Sequence, residues 1–449
     1  MRIINGLIYR PECEFRSGTL EINGDVISGV SDFLPENNFD DEVINAQDLF
    51  IIPGLTDIHF HGCMGFDLCD GNINALKNIA EYQACQGVLN ICPATMTLDA
   101  EKILKILANA KDFRNLKLKN CAELVGINLE GPFISPEKCG AQDPKFAIKP
   151  DINLFEKFYD ASGSLIKICC VAPELDGSIN FIKYIRENFK DVRVSLAHTC
   201  ADYDIALSAF NAGVNHITHL YNAMNGINHR QPGPILAAVD FNDENNFANG
   251  GASLQEVNYD DKIFAQSAAS ENNFNIANNF ARDELANFNF NHETARDVIA
   301  KNLNNKIKAE LICDGVHVHE AAIKNAFRLF KAENIMIISD SLRATGMPDG
   351  EYELGGQIFI KRGNKTGLKD SPDVLAGSVT NLMDCLKILV KNKIISLEQA
   401  VKCAAVNPAK AINIYDKIGS IEPGKVANLV LLDKNLEIKK IFMRGKELI

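Results

Sequence analysis

The sequence lacks the long apolar run, about 18 residues without interruption, that a membrane-spanning helix needs. Its first residues lead into a strand pattern, with no basic segment followed by an apolar one, so no secretory signal is indicated and we expect a cytoplasmic protein. Basic residues are outnumbered, 46 against 58, and the net charge of −12 excludes a broad basic surface for nucleic acids or anionic membranes. No nucleic-acid or membrane partner is expected, and an anionic substrate would need local cations.

Regular cysteine spacing is also missing. The 13 cysteines include no Cys-x-x-Cys pair, and in a large intracellular protein this pattern indicates reduced, mostly buried thiols. What the chain does have is ordinary globular composition, with 46% hydrophobic and 23% charged residues over 449 positions. It is long enough to bury a large core.

A pair of histidines follows an apolar strand-like segment near the beginning of the chain. His59 and His61 lie in the run 53–62, directly after the apolar residues 49–52. Alternate side chains of an extended strand share a face, so both imidazoles point the same way. The pair could therefore contribute two nitrogens to one metal ion.

Four more polar residues stand at the ends of other strand-like runs: Glu130, His198, His219 and Asp340. Strand runs alternate with helical patterns such as 74–86 and 179–189, which is typical of a parallel sheet. Five strands that each deliver a polar group at the C-terminal end are typical of a (β/α)8 TIM-type barrel. This pattern predicts a metal-dependent hydrolase.

The two ends of the chain differ from the middle. Residues 1–52 contain short strands around an Asn23-Gly24 turn, and 404–449 again contain short strands separated by Gly and Pro. We expect both ends to form one small β-sandwich beside a barrel built from 53–403. Residues 240–305 are rich in Asn and Phe and break the alternation, so we interpret them as a partly helical insertion.

An ordered set of motifs carries a family resemblance over nearly the whole chain outside 240–305. The chain resembles the N-acetylglucosamine-6-phosphate deacetylases of the amidohydrolase superfamily. The matching segments are 53–62, 129–133, 138–141, 196–199, 218–224, 313–317, 339–340, 344–346, 354–356 and 375–378.

The resemblance implies a divalent metal, Zn²⁺ or Fe²⁺, with one or two ions per chain. Glu130, His198 and His219 would hold the first ion, and His59 with His61 would form the second position. Imidazole and carboxylate suit both metals, and a carboxylate can bridge two ions. Asp340 would be the catalytic residue, taking a proton from the attacking water and then protonating the departing amine.

The resemblance also implies a substrate site and a homodimer. Arg230 and His317 would bind the phosphate, and in relatives this arginine comes from the neighbouring subunit. Gln142 stands where the family usually has histidine; it can hydrogen-bond a sugar oxygen but cannot carry a proton. The remaining substrate-binding residues implied are Ala141, Asn222, Ala223, Leu375, Ala376 and Gly377.

Other candidates have simpler interpretations. Asp57 shares a face with His59 and is predicted to hydrogen-bond a ligand rather than to be one. The remaining histidines of the chain are predicted to be ordinary hydrogen-bonded or surface groups; they are His216, His229, His292 and His319.

Alternative functions remain open from the sequence. The substrate could be the 6-phosphate of N-acetylglucosamine, N-acetylgalactosamine or N-acetylmannosamine, because an epimeric hydroxyl is read by loop geometry. A cyclic-amide hydrolase would share the His-x-His pair, but such enzymes bridge their metals with a carboxylated lysine, whereas Glu130 occupies that position here. A non-catalytic scaffold on the same fold is the third alternative, although such proteins usually lose ligands and none is missing.

Overall fold

A computed structural model describes residues 1–32, 42–248 and 306–449. It separates into two compact units, Met1–Val239 with Ile307–Ile449, and Asp240–Lys306. Most of the predicted 240–305 insertion, including His292, lies outside the described residues, so its partly helical character stays a prediction. Within those described stretches, no helix is both long and apolar enough to cross a bilayer.

The strands of the described residues are short and mostly buried. In chain order they are β1 (Arg2–Arg10), β2 (Glu14–Asn23), β3 (Val26–Ser31), β4 (Val43–Asn45), β5 (Phe50–Pro53), β6 (Leu55–Asp57), β7 (Gly62–Cys63), β8 (Phe66–Asp67), β9 (Val88–Ile91), β10 (Glu123–Leu124), β11 (Ile127–Leu129), β12 (Ile166–Val171), β13 (Arg193–Leu196), β14 (His216–Ile217), β15 (Lys308–Ile312), β16 (Ile335–Ile338), β17 (Gly350–Leu354), β18 (Gln357–Arg362), β19 (Lys365–Leu368), β20 (Leu429–Leu432), β21 (Ile438–Met443) and β22 (Lys446–Glu447).

Helices alternate with the strands through the middle of the chain. They are α1 (Ile73–Cys85), α2 (Ala100–Asn115), α3 (Ile152–Ala161), α4 (Ser178–Asn188), α5 (Tyr203–Ala212), α6 (Gly233–Ala248), α7 (Glu320–Phe330), α8 (Leu382–Lys391), α9 (Leu397–Val401) and α10 (Asn407–Ala411), with a π-helical turn at Lys402–Val406. Short 3₁₀ turns lie at Leu68–Asp70, Pro136–Lys138, Pro144–Phe146 and Ala332–Asn334.

The central strands form a parallel barrel. β6 pairs with β9 and β9 with β10, while β11 to β16 follow one another in a six-stranded parallel sheet. A bridge between Ala94 and Asn128 joins these two groups, and the Asp340 N–H donates to the His59 carbonyl at 2.9 Å on the other side. The barrel is thereby closed, and the predicted fold class is confirmed.

The barrel strands are buried on both faces because helices cover their outer side. β16 is the uninterrupted apolar run Ile335–Ile338, and all four residues are buried. Ile338 belongs to a core cluster that also contains Ile168 of β12 and Ala409 of α10. This packing fixes where each strand ends, and therefore where the polar residues that follow it are placed.

The two chain ends share one eight-stranded sheet, as the predicted fold class requires. Its strand order is β22, β21, β20, β5, β1, β2, β3, with β4 beside β1. The link between the ends is the antiparallel pair of β5 and β20, which places Leu429 opposite Pro53. The domain boundaries at 52/53 and 403/404 stay a prediction.

Candidate metal centre and active site

Three of the predicted site residues have an unusual backbone conformation at a strand end. His198, His219 and Asp340 follow β13, β14 and β16, with φ values of 44°, 29° and 48°. Non-glycine residues rarely occupy this left-handed region, and the surrounding structure must hold them there. Such strain is typical of functional sites, where it directs side chains that ordinary strand geometry would not bring together.

Glu130, which follows β11, lies at the centre of the site and is 2% exposed. Its Oε1 lies 3.0 Å from Nε2 of His198, 3.1 Å from Nε2 of His219 and 3.4 Å from Nε2 of His59. Its Oε2 lies 3.3 Å from Nε2 of His61. The structure therefore brings the four predicted histidine ligands around the fifth predicted ligand, the Glu130 carboxylate.

The other nitrogens of three imidazoles fix the tautomers. Nδ1 of His198 donates to the Lys138 carbonyl at 2.9 Å, and Nδ1 of His219 donates to the Asn222 carbonyl at 3.2 Å. Nδ1 of His59 meets the Glu310 carboxylate at 2.8 Å. A carbonyl or carboxylate oxygen can only accept, so each Nδ1 carries the hydrogen and each Nε2 presents a lone pair to Glu130.

Lone pairs that converge on a carboxylate repel one another unless a cation lies between them. Burial lowers the pKa of His59, but the charges of Glu130 and Glu310 raise it by more, so the net pKa lies well above the ordinary value. Without a metal, the site therefore favours a proton where a cation would bind. For His61, burial likewise lowers the pKa, yet contacts with Asp340 and Glu130 raise it to about 10. The donor set is that of a cation site.

The spacing of the ligands also fits a divalent ion. Nε2 of His198 and Nε2 of His219 lie 3.1 Å apart. Two imidazole nitrogens on one tetrahedral zinc would lie about 3.3 Å apart at ordinary bond lengths. Nε2 of His59 is buried and has no hydrogen-bond partner among the described residues, and His59, Glu130 and His219 offer ligand atoms that all lie within 4.8 Å of one another. The residues present therefore fit the metal that the resemblance implies.

Asp340 is a second carboxylate that contacts the same histidine pair. Its Oδ1 is 3.4 Å from Nε2 of His61 and 3.7 Å from Nε2 of His59. Burial raises the pKa of Asp340, but the contact with His61 and the charge of His59 lower it by more, so the net pKa lies below the ordinary value. The carboxylate is ionised near neutral pH, which is the state that a general base requires.

A cavity of about 290 Å³ opens over this centre. His317 reaches it with a side chain that is 5% exposed; its Nδ1 donates to Asp314 at 2.7 Å, and its buried Nε2 has no partner in the part of the chain that the structure describes. Met96, Leu354 and Val374 also line the cavity and were not predicted. The predicted substrate residues that line it are Ala141, Gln142, Asn222, Ala223, His317, Leu375, Ala376 and Gly377.

Comparison with known proteins agrees with this geometry. The family model described as the amidohydrolase family matches residues 50–448. The chain belongs to the amidohydrolase family. The predicted membership of this family is thereby confirmed. Membership implies that the protein uses a divalent metal.

Individual relatives are similar over nearly the whole chain. An N-acetylglucosamine-6-phosphate deacetylase of Bacillus subtilis is 31% identical, covering 96% of this chain and 92% of its own. An N-acetylgalactosamine-6-phosphate deacetylase of Escherichia coli O157:H7 is 26% identical, covering 88% and 87%. The solved N-acetyl-D-glucosamine-6-phosphate deacetylase of Mycobacterium smegmatis superposes with a TM-score of 0.78, at 24% identity and with 100% of each chain covered, which supports the fold.

Arg230 is the predicted substrate-binding residue that does not line the cavity within one chain. It is exposed, and it lines a separate depression of about 680 Å³ together with Cys200 and Asn225. Its predicted contribution from a neighbouring subunit stays a prediction.

Asp57 supports the metal centre without facing it. Its Oδ2 accepts the hydroxyl of Ser339 at 2.5 Å, and its Oδ1 accepts the backbone N–H of His59 at 3.2 Å. Burial raises the pKa of Asp57 to about 7. Asp57 thus ties the end of β6 to the end of β16, where the barrel closes.

Glu310 is a residue of the candidate site that the sequence interpretation missed. It lies in the middle of β15, is fully buried, and accepts hydrogen bonds from His59, from Nε2 of His216 at 2.9 Å and from the backbone N–H of His219 at 3.3 Å. Burial raises the pKa of Glu310, but His59 and His216 lower it to about 2. A glutamate inside an apolar strand was the available signal, because carboxylates are almost never fully buried without partners.

The other histidines have simpler surroundings. His216 is buried against Glu310 and so supports the site indirectly. His229 is exposed. His319 is also exposed and caps the N-terminus of α7, where its Nδ1 accepts the backbone N–H of Ala321 at 3.2 Å.

Proposed function

We propose that this amidohydrolase removes the acetyl group of N-acetylglucosamine 6-phosphate, giving glucosamine 6-phosphate and acetate, in amino-sugar catabolism or recycling. The observation that carries the proposal is the convergence of imidazole Nε2 atoms on Glu130 beside the Asp340 carboxylate, at the base of a cavity that also presents His317. The similarity to the Bacillus subtilis deacetylase supports this choice of substrate.

Glu130, His198 and His219 would hold one ion, and His59 with His61 would hold a second. Zn²⁺ and Fe²⁺ both suit this set of imidazoles and a carboxylate. A bound ion would lower the pKa of water and polarise the acetyl carbonyl, which is the chemistry that amide hydrolysis needs.

Asp340 would perform both proton transfers. Its carboxylate first accepts a proton from the water that attacks the acetyl carbon. When the carbon–nitrogen bond breaks, the same group returns that proton to the sugar nitrogen, so that a neutral amine leaves. The acetic acid that remains keeps the second proton of the water and releases it to solvent as it ionises to acetate. The downward shift of its pKa supplies the ionised form that the first step requires.

The opposite end of the cavity would hold the phosphate. His317 presents an Nε2 that has no partner among the described residues, and Asn222, Ala223 and the segment 375–377 line the same cavity. Arg230 would come from the second subunit of a homodimer and supply a bidentate contact. Ala141 and Gln142 lie on the sugar side of the cavity in this proposal.

The second candidate is the epimeric substrate, N-acetylgalactosamine 6-phosphate, because a relative that covers most of this chain bears that name. A cyclic-amide hydrolase is less well supported, since the central carboxylate is Glu130 and no lysine of the described segments lines the cavity. A scaffold without activity is also less well supported, because every predicted ligand is present in the centre.

The experiment is an acetate-release assay on the 6-phosphates of N-acetylglucosamine, N-acetylgalactosamine and N-acetylmannosamine and on the three free sugars, with a parallel ring-opening assay on a cyclic amide. We expect the largest kcat/KM on N-acetylglucosamine 6-phosphate. A larger kcat/KM on another epimer or on the cyclic amide would identify that compound, and not N-acetylglucosamine 6-phosphate, as the substrate. Metal-loaded protein without turnover on any of them would favour the scaffold.

A further inference from the structure

The amide of Gln142 is held at both ends beside the metal centre. Its Oε1 accepts the backbone N–H of Thr97 at 2.6 Å, and its Nε2 donates to Oε2 of Glu130 at 3.0 Å. The residue is 4% exposed. Both ends of the Gln142 amide are therefore bound to the protein, although the residue also lines the cavity.

Chemistry fixes the orientation of this amide. Thr97 offers an N–H, which only the amide oxygen can accept, and Glu130 is a carboxylate, which only the amide nitrogen can satisfy. A flipped amide would place oxygen against oxygen and hydrogen against hydrogen. The donor of Gln142 thus points at Glu130 in the only arrangement that pairs both ends.

The hydrogen bond falls on one particular oxygen of Glu130. Oε2 receives the amide, while Oε1 lies among the Nε2 atoms of His59, His198 and His219. A carboxylate that is held at one oxygen cannot turn freely about its terminal bond, so the other oxygen stays directed at the ligand set.

The segment 138–142 also orients a second ligand. The Lys138 carbonyl accepts Nδ1 of His198, and the Gln142 N–H closes a turn on the Cys139 carbonyl at 2.9 Å. Gln357 in β18 braces the segment from outside, donating its Nε2 to the Ala141 carbonyl at 2.7 Å. Loop and ligands form one hydrogen-bonded unit.

We propose that Gln142 is a positioning residue that fixes the rotation of the Glu130 carboxylate and thereby sets the metal affinity of the centre. The proposal rests on the metal role proposed for Glu130 and does not depend on which acetylated sugar is the substrate. It gives Gln142 a different task from the sugar contact that the family resemblance implied.

The test measures Zn²⁺ affinity by chelator competition on metal-stripped protein. Gln142→Met keeps the length of the side chain and removes its donor, and we expect about 10- to 100-fold weaker binding, the usual cost of losing a hydrogen-bond partner of a ligand. Gln142→Asn keeps an amide that is one methylene too short to span Thr97 and Glu130. It should weaken binding similarly, and it carries the test if the methionine variant does not fold.

Gln357→Met is the matched control, because it removes a donor to the same segment without touching Glu130. We expect it to bind Zn²⁺ as the wild type does, with the melting temperature of each metal-free variant measured alongside. Wild-type affinity in a folded Gln142 variant, together with a raised KM, would overturn the proposal and restore the sugar contact. Equal weakening in Gln357→Met would also overturn it. Because no substrate enters the affinity measurement, a failed acetate assay leaves the result intact.

Discussion

Two carboxylates in the site, Glu130 and Asp340, have different surroundings, which suit them to the different tasks proposed for them. Both residues line the cavity, but Glu130 is surrounded by imidazole nitrogens and is 2% exposed, whereas Asp340 contacts the His59 and His61 pair and is 8% exposed. A carboxylate enclosed by ligands is suited to holding a cation. A carboxylate with fewer ligands around it and more exposure is better placed to exchange a proton with substrate.

Asp340→Asn tests the proton-transfer role. The variant should fold and retain metal, because the amide has the same shape and the main ligand set is untouched. Turnover should fall by at least about two to three orders of magnitude, since both proton transfers are lost. Steady-state kinetics and metal analysis of the same preparation check this, and near-normal kcat would exclude Asp340 as the base.

His317 gives a prediction about pH. Burial lowers the pKa of His317, but the hydrogen bond and charge of Asp314 raise it by more, so the net pKa lies above the ordinary value. The imidazolium is present below that raised pKa and is lost as pH rises through it. Above about pH 7 the substrate phosphate is already a dianion, so only the histidine changes. KM for the 6-phosphate should therefore rise with pH.

The control is His317→Gln, which cannot titrate. Its KM should be higher at neutral pH and flat across the same range, while KM for the free sugar should not follow the wild-type trend. Parallel pH profiles in wild type and variant would remove His317 from phosphate binding.

At the scale of elements, the site is made by strand ends. Apolar strand runs followed by His, Glu or Asp predicted the barrel. They also predicted that one edge of its parallel sheet carries Glu130, His198, His219 and Asp340. The barrel is confirmed, and these residues do meet. Their metal and catalytic roles remain predictions.

Other parts of the site could not be predicted, because they depend on contacts between distant segments. Glu310 belongs to a strand interior, and its partners His59 and His216 come from two other segments of the chain. The Gln142 amide reaches Glu130 only because the segment 138–142 folds back over the end of β11. The glutamate inside β15 was itself a signal of a buried partner, but the sequence does not show which distant residues either Glu310 or Gln142 contacts.

His59 and His61, which follow β6, allow a prediction about the number of metal ions bound per chain. If two ions bind, the double variant His59→Gln with His61→Asn should retain one ion per chain instead of two. It should keep part of its activity, because one ion can still activate water. Elemental analysis of both proteins decides this, and a wild-type content of one ion would show that this position is empty or weak.

At the scale of the whole molecule, charge limits how substrate is bound. With a net charge of −12, the chain as a whole repels a sugar phosphate, so the site must supply the attraction. Arg230 is exposed and lies outside the cavity of its own chain. A homodimer in which Arg230 completes the neighbouring site is therefore our proposal for the functional unit.

Mixed protomers test that proposal. Arg230→Ala should raise KM for the 6-phosphate about 10- to 100-fold, with little effect on the free sugar. The Arg230→Ala protein should then be co-refolded with an equal amount of the Asp340→Asn protein. If subunits pair at random, half of the dimers are mixed and each mixed dimer has one site with neither defect, about a quarter of all sites. Activity should recover accordingly. No recovery, when the mixed dimer is shown to form, would place Arg230 within its own subunit's site or outside any site.

The most direct test of the central claim is to measure bound metal and acetate release from N-acetylglucosamine 6-phosphate in the same samples, after chelation and after stepwise return of Zn²⁺ or Fe²⁺. We expect the stripped enzyme to release almost no acetate, and turnover to return in proportion to metal bound. Full turnover by metal-free protein, or a folded, metal-saturated protein that releases no acetate, would contradict a metal-dependent deacetylase.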